Sequence, residues 1–136
     1  MLFTLLKIII VAFLLNLTWE VSHSMLYTTC QKMQTKKYIP LILTMSFKDA
    51  LWISTFYVLT ATIFQTINIS ESTLHLSVFF ILAILFSFID ERISLKMKRW
   101  RYSNFMPTIL GVGISPLLEL AITGSISIKI VFNYFL

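Results

Sequence analysis

The stretch that decides the fold is residues 2–27, LFTLLKIIIVAFLLNLTWEVSHSMLY. It is long enough to cross a bilayer core, which takes about 20 residues of helix. Its last turns carry polar residues spaced four, three and four apart, which places them on one helical face: Asn16, Glu20, His23 and Tyr27. Because ionisable groups are costly inside a bilayer, we expect this face to meet a partner helix, a cavity or a substrate.

The composition indicates a helical membrane protein. The chain has 136 residues, of which 57% are hydrophobic and 12% are charged, and its mean hydropathy is +0.85. A soluble domain of this size needs more polar residues to cover its surface. The apolar runs are long and lack the alternation of barrel strands. The sequence therefore predicts an all-α, polytopic transmembrane domain formed by residues 1–136.

Four hydrophobic segments predict a four-helix bundle, with spans at about 2–27, 40–67, 74–95 and 108–135. Pro40 is suited to the first turn of the second span. Alternatively, Ile39 to Phe47 forms a short interfacial helix, because Lys48 and Asp49 interrupt the segment. A cleaved signal peptide at the N-terminus is less favoured, since no basic residue precedes the apolar run.

The positive charge of the chain predicts its orientation. Basic residues cluster in the first and third connections between spans, at Lys32, Lys36, Lys37, Arg92, Lys96, Lys98, Arg99 and Arg101. The second connection has no lysine or arginine, so the two basic connections are expected to be cytoplasmic and both termini outside. Lys7 and Lys129 near the outer ends count mildly against this topology. The net charge of +5 is explained by these connections, and no basic face is expected to bind nucleic acid.

The acidic residues predict a polar site in the inner half of the bilayer. Glu20 lies about 10 Å before the inner end of the first span, and Glu119 about 18 Å beyond Pro107, at 1.5 Å per residue. Each span brings an acid to this zone, and five of the six acids fall there: Glu20, Asp49, Asp90, Glu91 and Glu119. The candidate catalytic residues are therefore Glu20, His23, Asp49, Glu91 and Glu119.

Polar and aromatic residues near these acids are candidates for substrate binding: Asn16, Trp19, Tyr27, Trp52, Arg99, Trp100 and Tyr102. Structural roles compete with this interpretation. Asn16 is equally suited to a hydrogen bond between spans. Asp49 could pair with Lys48, and Glu91 with Arg99 or Arg92.

The sequence predicts neither a metal nor a cofactor. The two histidines, His23 and His75, fall on opposite sides of the predicted membrane, which disfavours a site with two histidine ligands. Cys30 is the only cysteine, and no glycine-rich phosphate loop or nucleophile elbow is present.

Several motifs resemble those of an uncharacterised family of small bacterial four-helix integral membrane proteins. They are the tryptophan–glutamate pair Trp19-Glu20, Asp49, Glu91 before Arg99-Trp100-x-Tyr102, Met106-Pro107, and Ser115 to Leu118. The resemblance covers most of the chain and implies a bacterial cytoplasmic membrane location. The family pattern has glutamine at the positions of Glu119 and near His23, which implies that Glu20 carries more of the common role. The combination of intramembrane acids with a glutamate before a tryptophan-x-tyrosine segment is also weakly similar to membrane carotenoid cyclases and hydratases.

Three functions remain open at this point. An acid–base enzyme could act on a lipid or isoprenoid ligand, using Glu20 or Asp49 as acid and base, Glu91 with Arg99 as an orienting pair, and Trp19 and Trp52 as walls. The same acids could conduct protons or cations in a homo-oligomer. Finally, the chain could be an accessory subunit of a larger membrane complex, in which the polar groups only join helices.

Overall fold

The computed structural model describes residues 2–135, and these residues form five α-helices. The helices are α1 (Leu2–His23), α2 (Thr28–Gln31), α3 (Thr35–Ile63), α4 (Thr73–Lys96) and α5 (Ile114–Ile130). Single 3₁₀ turns occupy Ser24–Leu26 and Ile69–Glu71, and a π-helical turn, Val131–Phe135, follows α5. A two-stranded antiparallel hairpin, β1 (Thr108–Ile109) and β2 (Val112–Gly113), precedes α5. The predicted helical class is confirmed, but the hairpin was not predicted.

Three helical segments are long and apolar enough to cross a membrane: Leu2–Leu26, Thr73–Lys96 and Ile114–Phe135. For these segments the structure confirms helices with the length and hydropathy that a membrane span requires. The longest helix, α3, has 29 residues. It is not among them, because charged residues such as Lys48 and Asp49, together with several hydroxyl residues, lower its hydropathy.

Helices α3 and α5 do not begin where the sequence predicted, which was at about residues 40 and 108. Helix α3 starts at Thr35, so Pro40 lies inside the helix rather than in its first turn. As the sixth residue of α3, Pro40 lacks the N–H that would bond the carbonyl of Lys36, and its ring crowds that carbonyl. Helix α5 starts at Ile114 instead of residue 108, because Leu110 and Gly111 have φ angles of 51° and 78° and turn the chain back into the hairpin. Two consecutive positive φ angles are typical of two-residue hairpin loops.

The long helices pack around a core of small and aliphatic side chains. Helix α1 lies between α3 and α5, and α4 packs against α5 and α3. Ile8, Ala12 and Ile53 are fully buried in this core. Helices α4 and α5 approach each other closely at Gly124 of α5, where an added Cβ would lie 2.5 Å from Cζ of Phe79 on α4.

The two ends of the bundle differ in how they are closed. At one end, the Lys7 ammonium donates to the carbonyl of Phe135, 2.8 Å away. At the other end, the backbone N–H of Thr28 donates to the carbonyl of Arg101 at 3.0 Å, and that of Ser103 donates to Leu26 at 2.8 Å. The two basic connections are therefore joined to each other at the same end of the bundle.

Candidate active site

A cavity of about 190 Å³ lies at the end of the bundle that carries the basic connections. All four long helices contribute to its lining. Five of the six acids of the chain line it, namely Glu20, Asp49, Asp90, Glu91 and Glu119. Apolar side chains form much of the remaining wall, including Met33, Leu41, Ile42, Met45 and Phe86. The cavity therefore combines a cluster of acidic side chains with an apolar wall.

Glu20, His23 and Glu119 form a buried cluster, here called the carboxylate–imidazole cluster. Each has a residue exposure of 5–8%. His23 Nε2 lies 3.0 Å from Glu20 Oε2 and 3.8 Å from Glu119 Oε2. Glu20 and His23 are three residues apart on α1 and so share a face, whereas Glu119 comes from α5. His23 Nδ1 lies 2.7 Å from the hydroxyl of Ser115, in the first turn of α5.

Glu91 is held by aromatic donors rather than by a base. Its Oε1 accepts hydrogen bonds from the Tyr102 hydroxyl at 2.6 Å, the Trp100 indole N–H at 3.0 Å and the Tyr27 hydroxyl at 3.3 Å. Within residues 2–135, Glu91 makes no ion pair with Arg99 or with any other basic side chain. The predicted pairing of Glu91 with an arginine is therefore wrong. The reason is that residues 97–102 turn back over the end of α4 and bring Trp100 and Tyr102 to the carboxylate.

Tyr102 connects the Glu91 site to the hairpin. While its hydroxyl donates to Glu91, the same oxygen accepts from the backbone N–H of Gly113 at 2.9 Å. Burial, and then the hydrogen bond to Glu91, raise the pKa of Tyr102 above its ordinary value. The phenol therefore keeps its proton at neutral pH and remains a donor.

Asp49 lies on α3, facing the same cavity, and is 8% exposed. It is not paired with Lys48, as the sequence suggested as an alternative. The Lys48 ammonium instead lies 3.1 Å from Asp90 Oδ2 on α4, because successive residues on a helix point about 100° apart. Asp49 therefore adds a further acid to the cavity wall without an ion-pair partner within residues 2–135.

Two buried polar atoms on the cavity wall have no hydrogen-bond partner among residues 2–135. They are Oε1 of Glu119 and the hydroxyl oxygen of Ser87. Buried polar groups are nearly always satisfied in folded proteins. These two atoms are therefore the places where a ligand, an ion or a water molecule has the most to contribute.

Several predicted binding residues lie away from the cavity. Asn16 accepts a hydrogen bond from the Thr123 hydroxyl at 3.0 Å, which joins α1 to α5 and matches the structural alternative. Trp19 does not line the cavity, so it is not the predicted wall. Trp52 lies behind the wall, with its ring centroid 4.1 Å from that of Phe86. Arg99 does line the cavity, but its side chain is exposed.

Sequence reasoning missed two groups that organise the site. The Ser115 hydroxyl orients His23, and the backbone N–H of Gly113 positions Tyr102. Ser115 and Glu119 are four residues apart and so lie on one helix face. The contact of Ser115 with His23, however, depends on how α5 packs against α1. No local signal in the sequence predicts the contact of Gly113.

Residues of the motifs behind the family resemblance line the same cavity, among them Glu20, Asp49, Glu91 and Trp100. Trp100 and Tyr102 donate hydrogen bonds to Glu91. The family assignment and the similarity to carotenoid enzymes stay predictions. Comparison of the chain with protein-family models, with curated proteins and with solved structures gives no match.

Proposed function

We propose that this chain is a four-span integral membrane protein that carries out acid–base chemistry on the end of a lipid or isoprenoid. The observation that carries the proposal is the cavity, because five acids line a small space that also has an apolar wall. Acids gathered in a buried space are costly to folding. Such a cost is typical of functional sites rather than of helix packing.

The side-chain pattern of α3 supports a fourth span. Its buried face carries polar residues such as Ser46, Asp49 and Thr60. Its outer face carries exposed apolar residues: Ile39, Leu43, Phe47, Leu51, Leu59 and Ile63. A helix with its polar groups inside and its apolar groups outside is suited to lipid rather than to water.

The positive-inside rule supports an orientation with both basic connections in the cytoplasm. These connections are hydrogen-bonded to each other beside the cavity. The cavity would then lie in the inner leaflet of the bacterial cytoplasmic membrane, and both termini would lie outside.

The size of the cavity limits the substrate to one end of a lipid. A cavity of about 150 Å³ holds a molecule the size of benzene, so 190 Å³ accommodates about one branched isoprene unit or a small head group. The rest of the molecule would extend between helices into the bilayer.

The carboxylate–imidazole cluster supplies the acid and base in this proposal. Glu20 lies 3.0 Å from His23, so a proton can pass between them and a bound substrate. Asp49 is the second candidate acid. Glu91 would act as a fixed negative charge, because three donors hold it, and could stabilise a developing cation.

A through-pore is less favoured than a cavity that ends inside the bundle. Between the carboxylate–imidazole cluster and the far end of the bundle lies a fully buried apolar layer that includes Ile8, Ile128 and Val131. Such a layer excludes the water that a proton or cation path needs. Transport in a homo-oligomer and an accessory role in a larger complex remain the alternatives.

The test is a lipid and pigment profile of native membranes from a deletion strain. The strain is complemented with the wild type, with Glu20→Gln, or with Glu71→Gln as the matched control. Glu71 is exposed in the connection at the far end of the bundle and bonds only its neighbour Asn68. We expect wild type and Glu71→Gln to restore a missing lipid, and Glu20→Gln to reduce its formation by about 10²-fold or more, the usual contribution of a general acid or base. A deletion strain with an unchanged profile would show that the proposed function is wrong.

A further inference from the structure

We propose that Glu20, His23 and Glu119 bind a divalent transition-metal ion. Each side chain offers one ligand atom, and these atoms all lie within 4.8 Å of one another. Carboxylate oxygens with one imidazole nitrogen form a donor set that suits Zn²⁺, Mn²⁺ or Fe²⁺. The sequence prediction of no metal considered only a site with two histidines, and this set needs one.

The distances are close to those of a coordination sphere. His23 Nε2 lies 3.0 Å from Glu20 Oε2 and 3.8 Å from Glu119 Oε2. With metal–ligand bonds of about 2.1 Å, neighbouring ligand atoms lie about 3.0–3.4 Å apart. The carboxylate oxygens of Glu20 and Glu119 lie within 4.8 Å of each other. Glu119 therefore has to move by up to roughly 1.5 Å, which χ rotations of a glutamate side chain can supply.

The environment of His23 matches that of a metal ligand. Ligating histidines almost always donate their second ring N–H to an oxygen, which fixes the tautomer. His23 Nδ1 lies 2.7 Å from the Ser115 hydroxyl. With the proton on Nδ1, the lone pair of Nε2 faces the two glutamates.

The charge of a divalent ion is compatible with the cluster. Two ionised carboxylates and a neutral imidazole together carry −2, which a divalent ion would cancel. Lys48, a lysine that lines the cavity, is already paired with Asp90. Since all three cluster residues are at least nine-tenths buried, an uncancelled charge there would be costly.

The unsatisfied oxygen of Glu119 points to the same conclusion. Its Oε1 has no hydrogen-bond partner among residues 2–135, although the residue is only 5% exposed and lines the cavity. A bound ion, or a water molecule on that ion, would supply the missing partner.

Three protein ligands leave at least one coordination position open toward the cavity. Open positions are typical of catalytic rather than structural zinc sites. That the open position takes a lipid oxygen rests on the proposed function, whereas metal binding itself does not. With Glu20 and His23 holding the ion, Asp49 would be the acid–base group of that function, since it lines the same cavity.

The experiment is metal analysis of the full chain purified in mild detergent from cells supplied with zinc, manganese and iron. We expect about one equivalent of one metal per chain in the wild type and in the controls His75→Gln and Glu71→Gln. We expect at least a tenfold loss in His23→Gln and Glu119→Gln. His75 is a suitable control because it stacks on Phe64 outside the cavity, with ring centroids 4.1 Å apart.

If the cluster variants fail to fold, a second measurement shows whether the wild-type cluster binds a metal ion. Wild-type protein stripped with a chelator is titrated with Co²⁺, and visible absorption bands of Co²⁺ in a low-symmetry N/O site are expected at one equivalent. Equal metal content in cluster and control variants, or a titration without such bands, would overturn the proposal. A lipid profile unchanged by deletion would leave metal binding intact, so the two proposals fail separately.

Discussion

Replacing Tyr102 by phenylalanine tests whether one hydroxyl holds the end of the bundle together. The hydroxyl donates to Glu91 at 2.6 Å and accepts from the Gly113 N–H at 2.9 Å. A hydrogen bond to a charged group contributes about 1.5–3 kcal/mol, and a buried N–H left without an acceptor costs about 1–3 kcal/mol. Because the two remaining donors to Glu91 relax and water can reach part of the site, we expect a loss of about 2–4 kcal/mol in unfolding free energy.

The geometry also predicts a ranking among tyrosines. The Tyr27 hydroxyl is 3.3 Å from Glu91, near the limit of a useful hydrogen bond, so Tyr27→Phe is expected to cost less than about 1 kcal/mol. Tyr134→Phe is the control, because that side chain is 81% exposed.

The assay is unfolding of the detergent-solubilised protein by a denaturing detergent, followed by tryptophan fluorescence. Limited proteolysis should also cut residues 103–113 of Tyr102→Phe faster than those of the control, since Gly113 loses its anchor. The reasoning is refuted if Tyr102→Phe unfolds within about 0.5 kcal/mol of Tyr134→Phe, or if Tyr27→Phe is the more damaging change.

Three further predictions follow from helix packing and exposure. Gly124→Ala should lower the unfolding free energy by about 1–3 kcal/mol, because the new methyl group meets the Phe79 ring. Thr123→Val should cost about 0.6 kcal/mol, and at most about 1.7, the average and maximum for hydrogen bonds between spans. The Thr123 hydroxyl shares its proton between the Glu119 carbonyl and Asn16 Oδ1, and valine removes this link from α5 to α1. Burial raises the pKa of the Cys30 thiol, so a membrane-impermeant maleimide should label it slowly at pH 7 and faster as the pH rises, because only the thiolate reacts. In the proposed orientation the reagent reaches Cys30 only from the cytoplasmic side.

Each of these predictions has a result that contradicts it. Wild-type stability in Gly124→Ala would mean that α4 and α5 pack less closely at Phe79. Thr123→Val should be compared with Thr62→Val, an exposed threonine whose hydroxyl bonds only its own helix. Equal losses of unfolding free energy in the two variants would mean that the hydrogen bond between Thr123 and Asn16 does not stabilise the packing of α1 against α5. The proposed orientation would be the wrong way round if Cys30 is labelled in intact cells. In that case a Glu71→Cys variant in a Cys30→Ala background would be labelled only after permeabilisation.

The helical class and the acidic site differ in how far the sequence predicted them. Apolar runs of about 20 residues predict spans because a bilayer demands that length, and three segments match it. Helical spacing also predicted which residues share a face, as for Glu20 and His23. The start of α5 was wrong by six residues, since the Leu110-Gly111 turn is a weak hairpin signal compared with asparagine–glycine.

A single sequence does not determine which side chains on different helices form hydrogen bonds or ion pairs with each other. The nearby arginines offered Glu91 an ion pair with Arg99 or Arg92, yet the carboxylate accepts from Tyr102 and Trp100 instead. Similarly, Lys48 bonds Asp90 on another helix rather than its neighbour Asp49. Such choices depend on helix rotation and on short connections, which periodicity does not encode.

The sequence by itself determined that this protein is built from long apolar helices carrying acids near one end, because composition and period are local properties of the chain. Only the tertiary structure decided that Glu20, His23 and Glu119 meet within 4.8 Å and that Glu91 sits among aromatic donors. The physical reason is that α1 and α5 are separated by about ninety residues of chain, and the packing of their faces, not their order, brings the donor atoms together.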